Sequence, residues 1–240
     1  MPKKLVIIPT YNEIENIEDV IKAIVSLEQN FDILIVDDNS PDGTHQRVRA
    51  LQETYPNLHL EVRLRKSGLG RAYIHGFKWA LKHQYDYIFE MDADFSHNPQ
   101  DLSRLYQTCA YEGMDIAIGS RYITGVNVVN WPLSRVLLSY FASVYVRFIT
   151  GIPIQDTTAG FICYSRKVLE EINLDKIEFI GYAFQIEMKY KSYCKGFKIK
   201  EIPIIFTDRT KGESKISRGI IREGILGVLW LKLKKIFGKL

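Results

Sequence analysis

Asp32-Ile33-Leu34-Ile35-Val36-Asp37-Asp38-Asn39-Ser40-Pro41-Asp42-Gly43 runs an unbroken apolar stretch straight into acids and a turn. Apolar side chains at consecutive positions, not alternate ones, mark a strand covered on both faces. Leu5-Val6-Ile7-Ile8 and Tyr87-Ile88-Phe89-Glu90-Met91 repeat the pattern, the first passing into the polar residues 10–13 and the second into Asp92-Ala93-Asp94. Helical spacing fills the intervals. Ile17, Val20, Ile21, Ile24 and Val25 share one helix face, a helix runs to about Thr54, a strand lies near 58–62, and Gly68 and Gly70 open a helix through Trp79 and Leu81. This alternation predicts an α/β fold, a mostly parallel sheet with helices on both faces. Such sheets bind ligands beyond the carboxyl ends of their strands, so the three acid-bearing loops are expected to share one edge.

The second half loses the rhythm. A strand over 114–119 ends in Ser120-Arg121-Tyr122, residues 133–149 are apolar and aromatic, and Phe161-Ile162-Cys163-Tyr164 reads as another strand. A helix near 182–194 and a strand near 198–205 complete the main domain, 1–216. Residues 217–240 read as a basic amphipathic helix for a membrane interface, with Leu229, Leu233, Ile236 and Leu240 on one side and Lys232, Lys235 and Lys239 on another, Lys234 adding charge.

Composition bounds the alternatives. With 46% hydrophobic and 12% aromatic residues, 240 residues suffice for a full core, and a net charge of +4 is too mild to point to nucleic acid. Cys109, Cys163 and Cys194 stand far apart, which fits a reducing compartment and neither a disulfide framework nor a zinc site. The apolar run at Leu5 stops at Pro9, short of a signal-peptide core, and nothing approaches the roughly 20 uncharged residues of a spanning helix. A cytosolic protein is expected.

Asp92 and Asp94 offer two hard oxygen ligands at a strand end, suited to Mg²⁺ or Mn²⁺ with coordination positions left for substrate phosphates. Taken alone, such a pair reads equally as solvated turn carboxylates. Gly68-Leu69-Gly70-Arg71-Ala72-Tyr73 departs from the dinucleotide fingerprint at Tyr73, and either a turn or a phosphate-facing loop fits it. The polar, basic loop 207–215 suits a clamp over an anion, and also a solvated loop. Arg121 and Arg135 sit amid apolar neighbours, where each needs either a carboxylate or a phosphate as partner.

Together, Pro9-Thr10-Tyr11-Asn12-Glu13, Asp37-Asp38-Asn39-Ser40-Pro41-Asp42-Gly43-Thr44, Asp92-Ala93-Asp94-Phe95-Ser96-His97-Asn98-Pro99, Gly119-Ser120-Arg121-Tyr122, Gly181-Tyr182-Ala183-Phe184-Gln185-Ile186-Glu187-Met188 and Asp208-Arg209 with Gly212-Glu213-Ser214-Lys215 closely resemble the dolichyl-phosphate (polyprenyl-phosphate) mannosyltransferases of glycosyltransferase family 2. The likeness spans about residues 4–220. It implies a glycosyltransferase A-type, Rossmann-like fold, GDP-mannose as donor, a divalent metal (Mg²⁺ or Mn²⁺) and a polyprenyl or dolichyl phosphate acceptor. By motif, Pro9, Tyr11, Glu13, Val36 and Asp38 correspond to nucleoside contacts, and Asp92, Ala93 and Asp94 to the diphosphate and metal site. Arg121, Arg209 and Lys215 correspond to cationic contacts with phosphate, and Arg135 and Ser139 to acceptor-phosphate contacts. Asp94, Arg121, Arg209 and Lys215 are the candidate catalytic residues.

The chain departs from the pattern at Ala159, where relatives usually carry glycine or serine, and shows no counterpart of the C-terminal transmembrane helices of some members. Peripheral attachment to the cytosolic face of a membrane is therefore the expectation, with a membrane accessory subunit as a further candidate partner. Two rivals stay open: the same chemistry with another donor such as UDP-glucose, and a catalytically silent scaffold that docks membranes.

Overall fold

A computed structural model describes residues 1–181, 183–208, 218–238 and 240, excepting the side chains of 218–223. Strands β1 (Lys4–Thr10), β2 (Asp32–Asp37), β3 (Leu58–Val62) and β4 (Tyr87–Glu90) alternate with helices α1 (Ile17–Val25), α2 (Thr44–Gln52) and α3 (Leu69–Lys82). Then come α4 (Asp101–Ala110), β5 (Ile116–Ser120), β6 (Val128–Val129), α5 (Leu133–Thr150), β7 (Ile162–Ser165) and α6 (Arg166–Glu171). The described chain closes with α7 (Ala183–Cys194), β8 (Ile199–Pro203), β9 (Phe206–Thr207) and α8 (Arg218–Ile236).

Seven strands form one sheet in the order β3-β2-β1-β4-β7-β5-β8, parallel throughout except for β7, which runs antiparallel to both of its neighbours. The consecutive apolar residues divide between its faces as two-sided burial requires. Leu5, Ile7, Leu34, Val36 and Ile88 pack with α3 and α7, while Val6, Ile8, Ile33, Ile35 and Phe89 pack with α1 and α4. The expected strand over 198–205 divides after Pro203: Ile204 and Ile205 leave the ladder, and Phe206–Thr207 pairs instead with β6 in a separate two-stranded sheet. That small sheet delivers Asp208, whose N–H donates to the Val129 carbonyl, to the carboxyl edge of the main one.

The glycine turn is explained by close approach. Gly68 takes φ +97°, and a Cβ on Gly70 would lie 2.8 Å from Cγ of Phe184 and 2.9 Å from the Phe179 carbonyl oxygen. The glycines thus bring α3 hard against α7. Helix α8 docks by the same means, with a Gly227 Cβ position 2.7 Å from the Phe179 ring and with Val228 and Leu231 buried. Among the described residues no helix is long and apolar enough to cross a membrane.

Gly70→Val is expected to lower stability by about 1–3 kcal/mol, the scale of overpacking a filled contact. Urea unfolding measures it, and an unchanged midpoint would mean that α3 and α7 shift apart at no cost.

Candidate active site

Strands β1, β2 and β4 are adjacent and parallel, so their polar ends meet on one edge, as the sequence pattern implies. Asp37 ties two of these loops together: it accepts from Thr10 Oγ1 at 2.7 Å, Ser40 N–H at 2.8 Å and Ser40 Oγ at 2.6 Å. Ser40 Oγ in turn accepts the Asn12 N–H at 3.0 Å. Asn12 and Asn39 adopt left-handed backbone (φ 59° and 56°), which asparagine tolerates better than most residues and which turns both loops sharply out of their strands. Beside them Pro9 pairs in register with Val36, and the Glu13 N–H donates to Thr44 Oγ1 at 3.0 Å. Asp38 lies 3.2 Å from the Arg63 guanidinium and accepts the Ser67 N–H at 3.4 Å. Burial raises its pKa against the pull of Arg63. Lys66 sits 4.1 Å above the Tyr11 ring. The five proposed nucleoside residues therefore lie together, walled by a basic segment over 63–66 that the sequence reading passed over.

At the end of β4 the carboxylates separate by environment. The Asp92 side chain is 38% exposed, whereas Asp94 is buried and accepts the Ser96 N–H at 3.0 Å around Phe95, itself at φ 58°. His97 closes the turn, its Nδ1 accepting the Asp92 N–H at 3.3 Å while its ring stacks on Phe161 at 4.8 Å. Burial pushes the imidazole down to about 4, so it is neutral near pH 7. A neutral Nδ1 acceptor places the ring proton on Nε2. The described residues hold no cluster of three or more His, Cys, Asp or Glu side chains, so no all-protein metal cage exists among them. Two hard carboxylates at one loop fit instead a Mg²⁺ or Mn²⁺ ion that completes its shell with phosphate and water oxygens.

Arg121 and Arg135 each take a carboxylate partner, the first of the two alternatives open from sequence. Arg121 is gripped by buried Asp156 through Nε at 2.7 Å, Nη2 at 2.6 Å and its own N–H at 2.9 Å, and Nη2 also donates to Thr158 Oγ1 at 2.8 Å. Burial opposes the charge on Asp156, yet the Arg121 guanidinium prevails and holds its carboxyl below the usual aspartate range. Arg135 donates to Asp208 at 2.8 Å and lies 4.1 Å from the Trp131 ring centroid; its Nε is buried with no hydrogen-bond partner among the described residues.

Both arginines line a cavity of about 430 Å³ together with Asp92, His97, Ser139 and Gln185. The rest of its wall is mainly apolar, including Leu138, Phe141, Val146 and Ile225, and it runs between α5 and α8. Ala159, the departure noted from sequence, is part of this wall. Asp156, His97 and Gln185 are not among the site residues read from sequence, although His97 and Gln185 stand inside quoted motifs and Asp156 lies three residues before Ala159. Arg209 and Lys215 lie outside the described residues.

A family model described as "Glycosyl transferase family 2" matches residues 5–173. The chain belongs to glycosyltransferase family 2. Within that family it is 45% identical over 227 residues to the polyprenol monophosphomannose synthase of Mycolicibacterium smegmatis, covering 94% of this chain and 85% of that protein. It is 43% identical to the undecaprenyl-phosphate mannosyltransferase of Micrococcus luteus, covering 93% and 91%. Its fold is shared, at 20% identity and TM-score 0.62, with a mannosyltransferase of Pyrobaculum calidifontis solved with GDP-Man and Mn²⁺, covering 98% of this chain and 64% of that one.

Removing the Asp156 charge from this family-2 fold leaves a buried guanidinium uncompensated, so Asp156→Asn is expected to cost about 3–5 kcal/mol. The folded carboxyl titrates below its unfolded value. Its contribution is therefore fully present above about pH 4 and is lost as pH falls through the lower folded pKa. Urea titrations across that window should show an acid-sensitive wild type and a flatter Asp156→Asn; parallel profiles would remove the pair from the ledger of acid stability.

Proposed function

We propose that the enzyme transfers mannose from GDP-mannose to a polyprenyl monophosphate, inverting the anomeric carbon. One observation carries the reading: the cavity beside Asp92 is amphiphilic, with Arg121 and Arg135 at one end and an apolar passage between α5 and α8 at the other. A phosphate head on a long hydrocarbon tail has that same polarity. A soluble sugar or phosphoglycerate acceptor has no use for the apolar passage. The curated relatives named for polyprenol and undecaprenyl phosphates support the class of acceptor.

An acceptor phosphate monoester has a second pKa near 6 and is largely dianionic at neutral pH, so no general base is required. The work of the site is charge management. Asp92 and Asp94 would hold a divalent ion, Mg²⁺ or Mn²⁺, which when bound would supply Lewis-acid stabilisation of the diphosphate leaving group. Arg135, whose Nε has no hydrogen-bond partner among the described residues, and Arg121, held by Asp156, orient the acceptor phosphate against its repulsion from the donor. Pro9, Tyr11, Glu13, Val36 and Asp38 hold the nucleoside, Ser139 assists at the acceptor phosphate, and Arg209 and Lys215, by their motif, supply cationic contacts to phosphate.

The residues exposed on and just after α8 support membrane association. Leu226, Leu229, Trp230, Leu233, Ile236 and Phe237 are exposed, while Lys232 donates to the Thr150 carbonyl at 3.4 Å and Lys234 pairs with Glu178. Two of the lysines expected to meet anionic lipid, Lys232 and Lys234, thus tie the helix to its own domain, and the exposed face carries these apolar residues. On α5, Leu133, Leu137, Phe141 and Phe148 extend that face. Their joint exposure fits shallow insertion at the cytosolic face, with the acceptor passing between the two helices.

Purified protein with membranes and a panel of labelled nucleotide sugars tests the reading: label from GDP-mannose should move into the organic phase and stop when metal is chelated. Asp94→Asn should reduce that transfer by more than ~10²-fold with folding intact. Transfer from UDP-glucose in place of GDP-mannose would replace the donor, and chelator-resistant transfer would remove the metal. For the membrane face, Leu229→Ser/Leu233→Ser should reduce liposome flotation whether or not the vesicles are anionic. Flotation unchanged by the pair would transfer the docking role elsewhere.

A further inference from the structure

A polar ridge runs through the otherwise apolar contact between α7 and the sheet. Gln185 and Lys189, one turn apart and so on the same face of α7, are 2% and 0% exposed. Gln185 Nε2 donates to Glu90, a carboxylate at the last position of β4, two residues before Asp92 and 0% exposed. Lys189 Nζ donates to the Ala159 carbonyl at 2.6 Å and approaches the Gln185 carbonyl at 3.4 Å. Ala159 belongs to the segment 156–160, whose Asp156 and Thr158 grip Arg121. Basic and acidic groups therefore alternate beneath the cavity: Arg121, Asp156, Lys189, Glu90. An apolar α7 would pack at least as well, because a buried ion pair seldom stabilises more than hydrophobic residues of like volume. The arrangement calls for a purpose other than stability.

We infer that Gln185 and Lys189 are positioning residues, a brace on α7 that sets the separation between the carboxylate pair at Asp92 and the phosphate-facing Arg121. Gln185 holds the donor strand through Glu90, and Lys189 holds the acceptor segment through the Ala159 carbonyl. The backbone of α7 between them is one rigid helical turn. The inference rests on the proposed transfer to a prenyl phosphate, since only two phosphates brought together from opposite walls need such a gauge. Misplacement by about 1 Å is enough to slow a reaction of this kind by roughly 10²-fold. The brace predicts damage to turnover without damage to either binding step.

The test uses the full chain with Mn²⁺, GDP and farnesyl monophosphate. Paramagnetic relaxation of the bound farnesyl phosphorus, which falls steeply with its distance from Mn²⁺, reads placement without turnover; steady-state transfer from GDP-mannose is measured beside it. Gln185→Leu and Lys189→Met should weaken the relaxation and lower kcat by roughly 10- to 100-fold, with KM for both substrates near wild type and a larger share of donor lost to hydrolysis. Should Lys189→Met fail to fold because Glu90 is left uncompensated, Glu90→Gln/Lys189→Met removes both charges and serves in its place. Relaxation and kcat at wild-type values in these variants would overturn the brace alone. A wild-type chain that binds no farnesyl phosphate, or transfers no mannose, would instead overturn the function on which it rests.

Discussion

A strand buried on both faces has nowhere to keep a polar side chain except where it ends, and this constraint orders the rest of the molecule. The central strands β1, β2 and β4 obey it, and because they are parallel neighbours all their acids collect on one edge. Asp37 then spends its lone pairs on Thr10 and Ser40, fixing one loop against the next instead of binding a ligand. The site is rigid because its loops hydrogen-bond to one another. Glu90 breaks the rule inside β4, and the break is matched by Gln185 and Lys189 from the helix packed over it. Burial raises the Glu90 pKa and lowers that of Lys189, with each charge opposing the other's shift.

Asp92, on the loop after β4, shares the cavity lining with two arginines, Arg121 and Arg135. Asp156 neutralises Arg121 in the resting protein, which makes burial of that guanidinium tolerable and presets its fork. Arg135 is less fully matched: Asp208 accepts from Nη1 at 2.8 Å, and Nε is buried with no hydrogen-bond partner among the described residues.

Helix α8 rests on its own domain through few residues. Val228 and Leu231 are buried, Gly227 admits Phe179, and the Trp230 indole N–H donates to Glu178 at 3.0 Å. The lysines lie on the flanks of that contact, Lys235 reaching over the Tyr190 and Tyr193 rings at 5.7 Å. Helical spacing in the sequence puts Leu229, Leu233, Ile236 and Leu240 on one side; the first three are exposed, whereas Leu240 packs against the core. The spacing does not say which side is inward, because a stripe of leucines packs equally against a protein core or a lipid tail. Exposure of Leu229, Leu233 and Ile236 in the folded chain resolves the direction.

Local chemistry was enough to determine the strand–helix alternation, the shared edge of acids and the DxD carboxylates, because two-sided burial writes itself as unbroken apolar runs and strand ends write themselves as polar ones. Motif resemblance added the arginines and the acceptor class. The partner of Arg121 lies 35 residues away at Asp156, and that of Arg135 lies 73 away at Asp208. Glu90 and Gln185 are 95 residues apart, and the cavity wall is drawn from α3, α5, α7 and α8 together. No pattern of spacing encodes such pairings. Only the tertiary structure decides them, since whether a buried charge meets a carboxylate, a carbonyl or an open cavity depends on which elements the sheet order brings face to face.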